Sequence, residues 1–181
     1  MMSNVIARAG NIQRTLTVKR PKWSDVYAGY PKNAMGTDDL PAPEVFRSIF
    51  GTDYDKNTFG NACATRLSLG LLNGGINFGR SKEYNIQMGQ LKGKGVLTSA
   101  VNMINWLKKN FGKPDVVIEN PKQLNDIALK IGDRKGIYAM LPRDSKDFGA
   151  SGHVTLWHKG DAIGKHNYFE SAKVIYFWEL K

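Results

Sequence analysis

Apolar residues recur at the three- and four-residue spacing of amphipathic helices over the first two thirds of the chain. The clearest example is residues 62–72, in which Cys63, Leu67 and Leu71 share one face. Asn61 precedes this helix at the position of an N-cap, and Asn73-Gly74-Gly75 is typical of a helix end. Further helices are predicted for residues 44–50, 98–111 and 120–131, each followed by a glycine.

The last third of the chain has the pattern of β-strands. Strands are predicted for residues 136–141, for the stretch that begins at His153, and for residues 172–180. Lys159-Gly160 is typical of a turn, and residues 172–180 are apolar enough on both faces to form a central strand. Helices first and an antiparallel sheet last predict an α+β fold.

The remaining segments carry weaker signals. Residues 1–20 have few periodic apolar positions, so we expect a loosely held N-terminal arm within one domain that spans residues 1–181. Residues 77–95 are rich in Gly, Lys, Asn and Gln, which predicts a loop with at most one short strand. This loop follows the cysteine helix directly, a position from which it would form one wall of a cleft.

Composition limits the possible classes of protein. Hydrophobic residues make up 41% and charged residues 23% of 181 residues, which are globular values. No run approaches the roughly 18 apolar residues of a membrane span, and no secretory signal is visible. The one cysteine cannot form an internal disulfide, and with three histidines it offers no metal-ligand spacing. A net charge of +10 fits nucleic acid, the polyanionic cell wall, or simply solvated lysines.

Two stretches suggest nucleophilic chemistry. Cys63 begins a predicted helix, where free N–H groups and the helix dipole lower the pKa of a thiol. His153 begins a predicted strand ninety residues later. A cysteine at a helix start followed by a distant histidine is the order of nucleophile and base in papain-like enzymes. The alternative is a structural cysteine that packs beside Leu67.

The motifs around these two residues resemble a known family. Residues 61–68 (NACATRLS), 152–157 (GHVTLW) and 166–169 (HNYF) are similar to the fourth family of type VI secretion amidase effectors. These are NlpC/P60-like cysteine peptidases of the papain-like superfamily, and the similarity runs from about Pro41 to the C-terminus. The resemblance implies a papain-like fold in which the nucleophile lies at a helix N-terminus against a C-terminal antiparallel sheet.

The resemblance also implies a function. Such enzymes cleave the peptidoglycan stem peptide between D-glutamate and meso-diaminopimelate without a cofactor or metal, and a cognate periplasmic immunity protein blocks the cleft. Type VI secretion exports them from the cytoplasm without a signal peptide, and they act in the periplasm of the target cell. Two alternatives remain open: a non-catalytic basic module that binds nucleic acid or glycan, and another papain-like amidohydrolase or acyltransferase.

The residues suggest individual roles in this chemistry. Cys63 attacks an amide carbonyl, His153 takes and returns the proton, and the Cys63 N–H is a candidate oxyanion donor. Trp157 shares the strand face of His153 by alternation and is a candidate for the cleft wall or for the core. Arg66, one turn after Cys63, is a candidate partner for a substrate carboxylate or a structural arginine.

The group that orients His153 is the point at which the sequence departs from the family. The resemblance implies an aspartate about eleven residues after the histidine, where this chain has Gly164. Asp161 is the nearest carboxylate, and we assign the role to it. If Lys159-Gly160 forms the turn, His166 faces His153 more directly, so His166 and Asn167 remain alternatives. His158 is expected on the opposite face.

Overall fold

The computed structural model describes residues 3–9, 12–18, 20–79 and 84–181. The helices are α1 (Trp23–Gly29), α2 (Ala42–Phe50), α3 (Cys63–Asn73), α4 (Ala100–Phe111), α5 (Leu124–Ile131) and α6 (Ser145–Phe148). The strands are β1 (Ser3–Ala9), β2 (Ile12–Val18), β3 (Tyr84–Asn85), β4 (Gly95–Val96), β5 (Val116–Glu119), β6 (Gly136–Pro142), β7 (His153–His158), β8 (Asp161–Ala162) and β9 (Ala172–Glu179).

A five-stranded antiparallel sheet in the order β5-β9-β6-β7-β8 forms the centre of the fold. The predicted α+β class is therefore confirmed. Strand β9 lies between β5 and β6, as its apolar character on both faces predicted. Strand β7 pairs with β6 so that His153 lies opposite Met140, which places the histidine at the end of an inner strand.

Apolar side chains cover both faces of this sheet. Val154 and Leu156 of β7 point toward the core that α3 and α4 complete. Trp157 belongs to a second core on the other face, where Ile127 and Ile131 of α5 contribute. In the part of the chain that the structure describes, no helix combines the length and apolar character required to cross a membrane.

Helix α3 is buried more completely than its sequence predicts. The pattern indicated one buried face, but every residue from Cys63 to Leu72 is buried. One side of the helix packs on the sheet, α1 packs on a second side, and Leu69 and Leu72 join a third core with α2. Gly70 permits the contact with α1, because a Cβ there would lie 2.9 Å from the Val26 carbonyl oxygen.

The segments predicted to form an N-terminal arm and a loop both contain short strands. Strands β1 and β2 form an antiparallel hairpin with Ser3 opposite Val18. Whether this hairpin is held loosely against the domain stays a prediction. In the second segment, β3 and β4 pair through two residues each, one strand more than expected. Residues 80–83 of that segment lie outside the described residues.

The loop between α1 and α2 is tied to the segment that follows β8. Asn33 closes the loop, because its backbone N–H donates to the Asp38 carbonyl at 2.9 Å and its side chain accepts from the Thr37 N–H at 2.9 Å. The Gly164 N–H donates to the Thr37 carbonyl at 3.0 Å. These contacts bring Asp39 close to the chain that follows the histidine strand.

Candidate active site

Cys63 is the first residue of α3 and is only 3% exposed. Its backbone N–H donates to the Asn61 side-chain oxygen at 3.0 Å. The prediction of Asn61 as the N-cap is wrong by one residue, because the N-cap is Ala62, which makes no side-chain cap hydrogen bond. Asn61 precedes the N-cap and still accepts from the first N–H of the helix. The expectation that the Cys63 N–H is free for an oxyanion needs correction, because Asn61 occupies that donor in this structure.

Packing of α3 against β7 brings the predicted nucleophile and base to the same place. The Cys63 sulfur accepts a hydrogen bond from the backbone N–H of Val154, the residue after His153. His153 is itself buried, with 6% of its surface exposed. Its Nε2 atom is buried and has no hydrogen-bond partner among the described residues. The thiol therefore lies against the start of β7, one residue from the imidazole that has an unused ring nitrogen.

Burial keeps both groups neutral. It raises the pKa of the Cys63 thiol above its ordinary value, and the hydrogen bonds from the Val154 and Ala64 N–H groups oppose that rise without cancelling it. This corrects the sequence-based expectation of a lowered pKa, because desolvation outweighs the helix terminus. Burial likewise lowers the pKa of His153 to about 4. The free enzyme at neutral pH therefore holds a thiol and a neutral imidazole.

Two aromatic rings enclose His153. The Tyr168 ring meets the His153 ring edge-on at 4.9 Å, and the His166 ring lies 6.2 Å away, nearly perpendicular to it. Tyr168 also stacks on His166 in parallel planes at 5.8 Å. Tyr168 has the left-handed backbone conformation, with φ of 47°, which is uncommon outside glycine. Its side chain, 41% exposed, separates His153 from solvent on this side.

A buried carboxylate that the sequence analysis did not select lies behind these rings. Only 5% of the Asp39 side chain is exposed. One Asp39 oxygen accepts from the Tyr30 hydroxyl at 2.9 Å, and the other is 3.2 Å from His166 Nδ1 and 3.6 Å from Arg66 Nη1. Tyr30 in turn contacts Thr155 Oγ1 at 3.1 Å, which connects this network to β7.

No spacing in the sequence points to Asp39. It lies 127 residues from His166 in the chain, and its neighbours Asp38 and Leu40-Pro41 are typical of an ordinary loop. The only local signal is a carboxylate close to the start of a helix. Hydrophobic patterns could not indicate that this carboxylate is buried.

Asp161, the predicted orienting residue, lies at the turn between β7 and β8, opposite His158. Its carboxylate accepts from the Asn167 side-chain amide at 2.9 Å and from the Ala162 N–H at 2.7 Å. His153 is not among these partners. Asn167, one of the two alternatives, donates its side-chain amide to Asp161. His166, the other alternative, lies beside His153. The role of Asp161 stays a prediction that none of its contacts supports.

Trp157 and Arg66, the two residues predicted to contact the substrate, are both buried. Trp157 is fully buried in the core below α5, and its ring N–H donates to the Gly132 carbonyl at 2.9 Å. This is the core alternative, and a substrate cannot reach the ring. Arg66 donates from Nε and Nη2 to the Leu40 carbonyl at 2.9 and 2.7 Å. Its guanidinium therefore holds the chain next to Asp39, which fits the structural alternative for this arginine.

His158 lies at the opposite end of β7 from His153. Its ring packs against Trp23 and Tyr27, each at a centroid distance of 5.4 Å. Within the described ranges, no group of three or more His, Cys, Asp or Glu side chains is arranged to hold a metal ion. The candidate site therefore consists of Cys63 and His153 with the polar groups around them.

Comparison with protein families identifies the chain. Residues 59–178 match the profile of Tae4, the type VI secretion system amidase effector protein 4. The chain belongs to this family. The matched region contains both Cys63 and His153, whereas Asp39 precedes it.

Solved structures agree with this assignment. The Tae4–Tai4 effector–immunity complex from Salmonella Typhimurium contains a chain that is 25% identical, with a TM-score of 0.68 over 90% of this chain and 100% of that chain. The effector Tae4 from Enterobacter cloacae is 23% identical, with a TM-score of 0.71 over 92% of this chain and 100% of that chain, and this shows the shared fold. A comparison with curated proteins gave no match.

Membership in this family confirms several of the sequence-based predictions. The protein is a peptidoglycan-directed amidase effector that type VI secretion delivers into target cells. The papain-like, NlpC/P60-like fold is confirmed as well. The non-catalytic binding module is thereby excluded as the main function of the chain.

Proposed function

We propose that the protein is a cysteine peptidase that hydrolyses the D-glutamate–meso-diaminopimelate bond of the peptidoglycan stem peptide. The observation that carries this proposal is the position of Cys63 at the start of β7, where the thiol accepts a hydrogen bond from the N–H of Val154, the residue after His153. A single buried thiol beside a buried imidazole with a free ring nitrogen is the arrangement of nucleophile and base.

The reaction begins from the neutral pair. The imidazole of His153 takes the Cys63 proton as the sulfur attacks the amide carbonyl, and His153 then gives that proton to the leaving amine. Water attacks the resulting thioester, again with His153 as general base, and regenerates the thiol. Because burial lowers the pKa of His153 to about 4, the imidazolium needs a negative charge nearby to form.

The substrate is an acidic polymer, and the charge of the protein suits it. The formal net charge is +10, which attracts a polyanionic wall and raises the local concentration of enzyme near its substrate. This attraction is not specific for one bond. We assign the bond from the family resemblance, and fragment masses test that assignment.

The proposal extends to the place of action and to a partner. The solved Tae4 structures include complexes with the immunity protein Tai4 from Salmonella Typhimurium and Enterobacter cloacae. By analogy, a cognate immunity protein protects the producing cell from this enzyme by binding it in the periplasm. Action in the periplasm of the target cell follows from the location of the substrate.

Digestion of purified sacculi tests the activity. We expect the wild-type protein to release fragments whose masses correspond to cleavage after D-glutamate, and the Cys63→Ala variant to release none while it retains the native unfolding midpoint. Asp53→Asn, a change at an exposed loop residue, serves as the control with normal activity. Hydrolysis by a folded Cys63→Ala protein would falsify the cysteine mechanism, and fragments cut elsewhere would reassign the bond.

A further inference from the structure

We propose that Asp39 is the carboxylate that positions His153 and stabilises its protonated form, acting through the ring of His166. Asp39 comes from the loop between α1 and α2, whereas the residues after His153 supply no carboxylate that contacts the histidine. This inference deepens the proposed function and rests on the pairing of Cys63 with His153. It assigns a role to a residue outside the region that matches the family profile.

The atoms around Gly164, which follows β8, show why this position does not carry a carboxylate. Gly164 has a φ of 67°, and a Cβ there would lie 2.5 Å from the Asp38 carboxylate and 2.6 Å from the His166 ring. A side chain at position 164 would therefore collide with the groups that already fill this space. The exposed Asp38 side chain and the His166 ring occupy the volume that a carboxylate at position 164 would need, and Asp39 is the next residue after Asp38.

The surroundings of Asp39 keep it ionised and fixed in position. Hydrogen bonds from His166 and Tyr30, together with the Arg66 charge, hold the pKa of Asp39 below its ordinary value although burial acts in the opposite direction. Arg66 also binds the Leu40 carbonyl, so the backbone beside Asp39 is held from α3 itself. A buried carboxylate with these partners has little freedom to rotate.

His166 transmits the influence of Asp39 to His153. An ionised carboxylate can only accept, so His166 Nδ1 donates to Asp39, and the ring plane is thereby fixed nearly perpendicular to that of His153. Asp39 is also the strongest of the charges that favour the imidazolium of His153, against His166 and Arg66, which oppose it. The positional effect on the catalytic base therefore acts through the His166 ring, whereas the charge of Asp39 acts on His153 directly.

The hydrogen bonds of Asp161 are made to groups other than His153. Its carboxylate is occupied by the Asn167 amide and its own neighbouring N–H, and it belongs to the surroundings of Tyr138 rather than of His153. A purely structural role for Asp39 is the main competing explanation, because the same carboxylate also binds Tyr30. The experiment must therefore distinguish a positioning role of Asp39, a positioning role of Asp161 and a purely structural role of Asp39.

Alkylation of Cys63 by iodoacetamide provides a readout that needs no substrate. The protein has one cysteine, so the rate of mass increase reports the reactivity of that thiol alone. Rates are measured against pH for the wild type, Asp39→Asn, His166→Gln, Asp161→Asn, Tyr30→Phe and the exposed-loop control Asp53→Asn. Thermal unfolding of each variant shows that it is folded, and His166→Gln keeps the test possible if Asp39→Asn does not fold.

We expect Asp39→Asn to slow alkylation at pH 7 by tenfold or more and to move the pH profile toward higher pH. His166→Gln should also slow alkylation tenfold or more through loss of the ring contact, but without that shift, because the His166 charge opposes the His153 imidazolium. Asp161→Asn should change the rate by less than twofold. Tyr30→Phe removes one hydrogen bond but leaves the Asp39 charge, so it should lower the unfolding temperature more than the reactivity. Rates within threefold of the wild type for Asp39→Asn and His166→Gln overturn the proposal, as does an equal loss in Tyr30→Phe.

Digestion of sacculi by the same variants then separates the two proposals. If Asp39 acts on the base, kcat falls in Asp39→Asn by at least the factor seen in alkylation, while KM changes by less than threefold. If the wild-type protein digests no sacculi, the assigned substrate is wrong, but the alkylation series still decides the role of Asp39.

Discussion

The carboxylate of Asp39 lies 3.2 Å from Nδ1 of His166, a contact that joins two residues 127 positions apart. Through it, the loop between α1 and α2 reaches the segment that contacts the catalytic histidine. The contact raises the pKa of His166 above its ordinary value, chiefly through the hydrogen bond to Asp39. It therefore has measurable consequences apart from catalysis.

The titration of His166 should depend on Asp39. We expect the pKa of His166 to fall toward or below 6.5 in Asp39→Asn, because the carboxylate that stabilises the imidazolium is gone. Nuclear magnetic resonance of labelled histidines measures this directly, since the protein has only three of them. The Cys63→Ala background keeps the sample inactive.

The raised pKa of His166 also means that its ion pair with Asp39 stabilises the fold below about pH 6.5. This contribution is lost as pH rises through the folded pKa of His166. An unchanged His166 titration in Asp39→Asn contradicts the contact.

Burial of neutral His153 should make the protein sensitive to acid. The pKa of His153 is about 4 in the folded protein, below its ordinary value, so the unfolded chain binds a proton first as pH falls. The folded state then loses roughly 2 kcal/mol of stability between neutral pH and about pH 5. Urea unfolding at both pH values measures the loss, and His153→Gln should reduce it.

His166 also affects the comparison of His153→Gln with the wild type. Its pKa is raised by the hydrogen bond to Asp39, so its contribution to stability increases on acidification, opposite in sign to that of His153. The difference between the two proteins isolates the His153 contribution as long as His166 titrates alike in both. Equal acid sensitivity of both proteins would show that His153 is not buried in its neutral form.

Asn61 should affect both stability and catalysis. Asn61→Ala removes the acceptor of the Cys63 N–H, and loss of a cap of this kind costs about 1 kcal/mol of stability. It also frees the N–H to donate to an oxyanion during attack. Urea unfolding tests the first effect and sacculus digestion the second. If freeing this N–H matters, kcat of Asn61→Ala stays equal to or exceeds that of the wild type despite the lower stability.

Trp157 should behave as a core residue. Trp157→Ala is expected to cost about 3–5 kcal/mol, because it leaves a cavity below α5 and an unpaired Gly132 carbonyl. Activity per folded molecule, measured at low temperature where the variant is folded, should stay within a few-fold of the wild type. A rise in KM at unchanged stability would instead restore the role of substrate contact.

Local patterns determined most of the elements and two members of the site. The spacing of Cys63, Leu67 and Leu71 together with the glycines after them predicted α3, and alternation around His153 predicted β7. Both are local, since helix and strand periodicity and turn residues act over a few positions. The turn at Lys159-Gly160 is confirmed by the pairing of His158 with Asp161, but strand pairing ends at Ala162, so this register did not determine the contact between His166 and His153.

Only the tertiary structure determined the pKa of the Cys63 thiol and the carboxylate that lies near His153. The pKa of the Cys63 thiol is raised rather than lowered, because it depends on how completely α3 is covered by neighbours far away in sequence. Asp39 reaches His166 because the loop between α1 and α2 is bound to the segment after β8, and that contact joins parts of the chain that are far apart in sequence. Burial and long-range charge are properties of the whole fold, so they could not be determined from the order of residues along the chain.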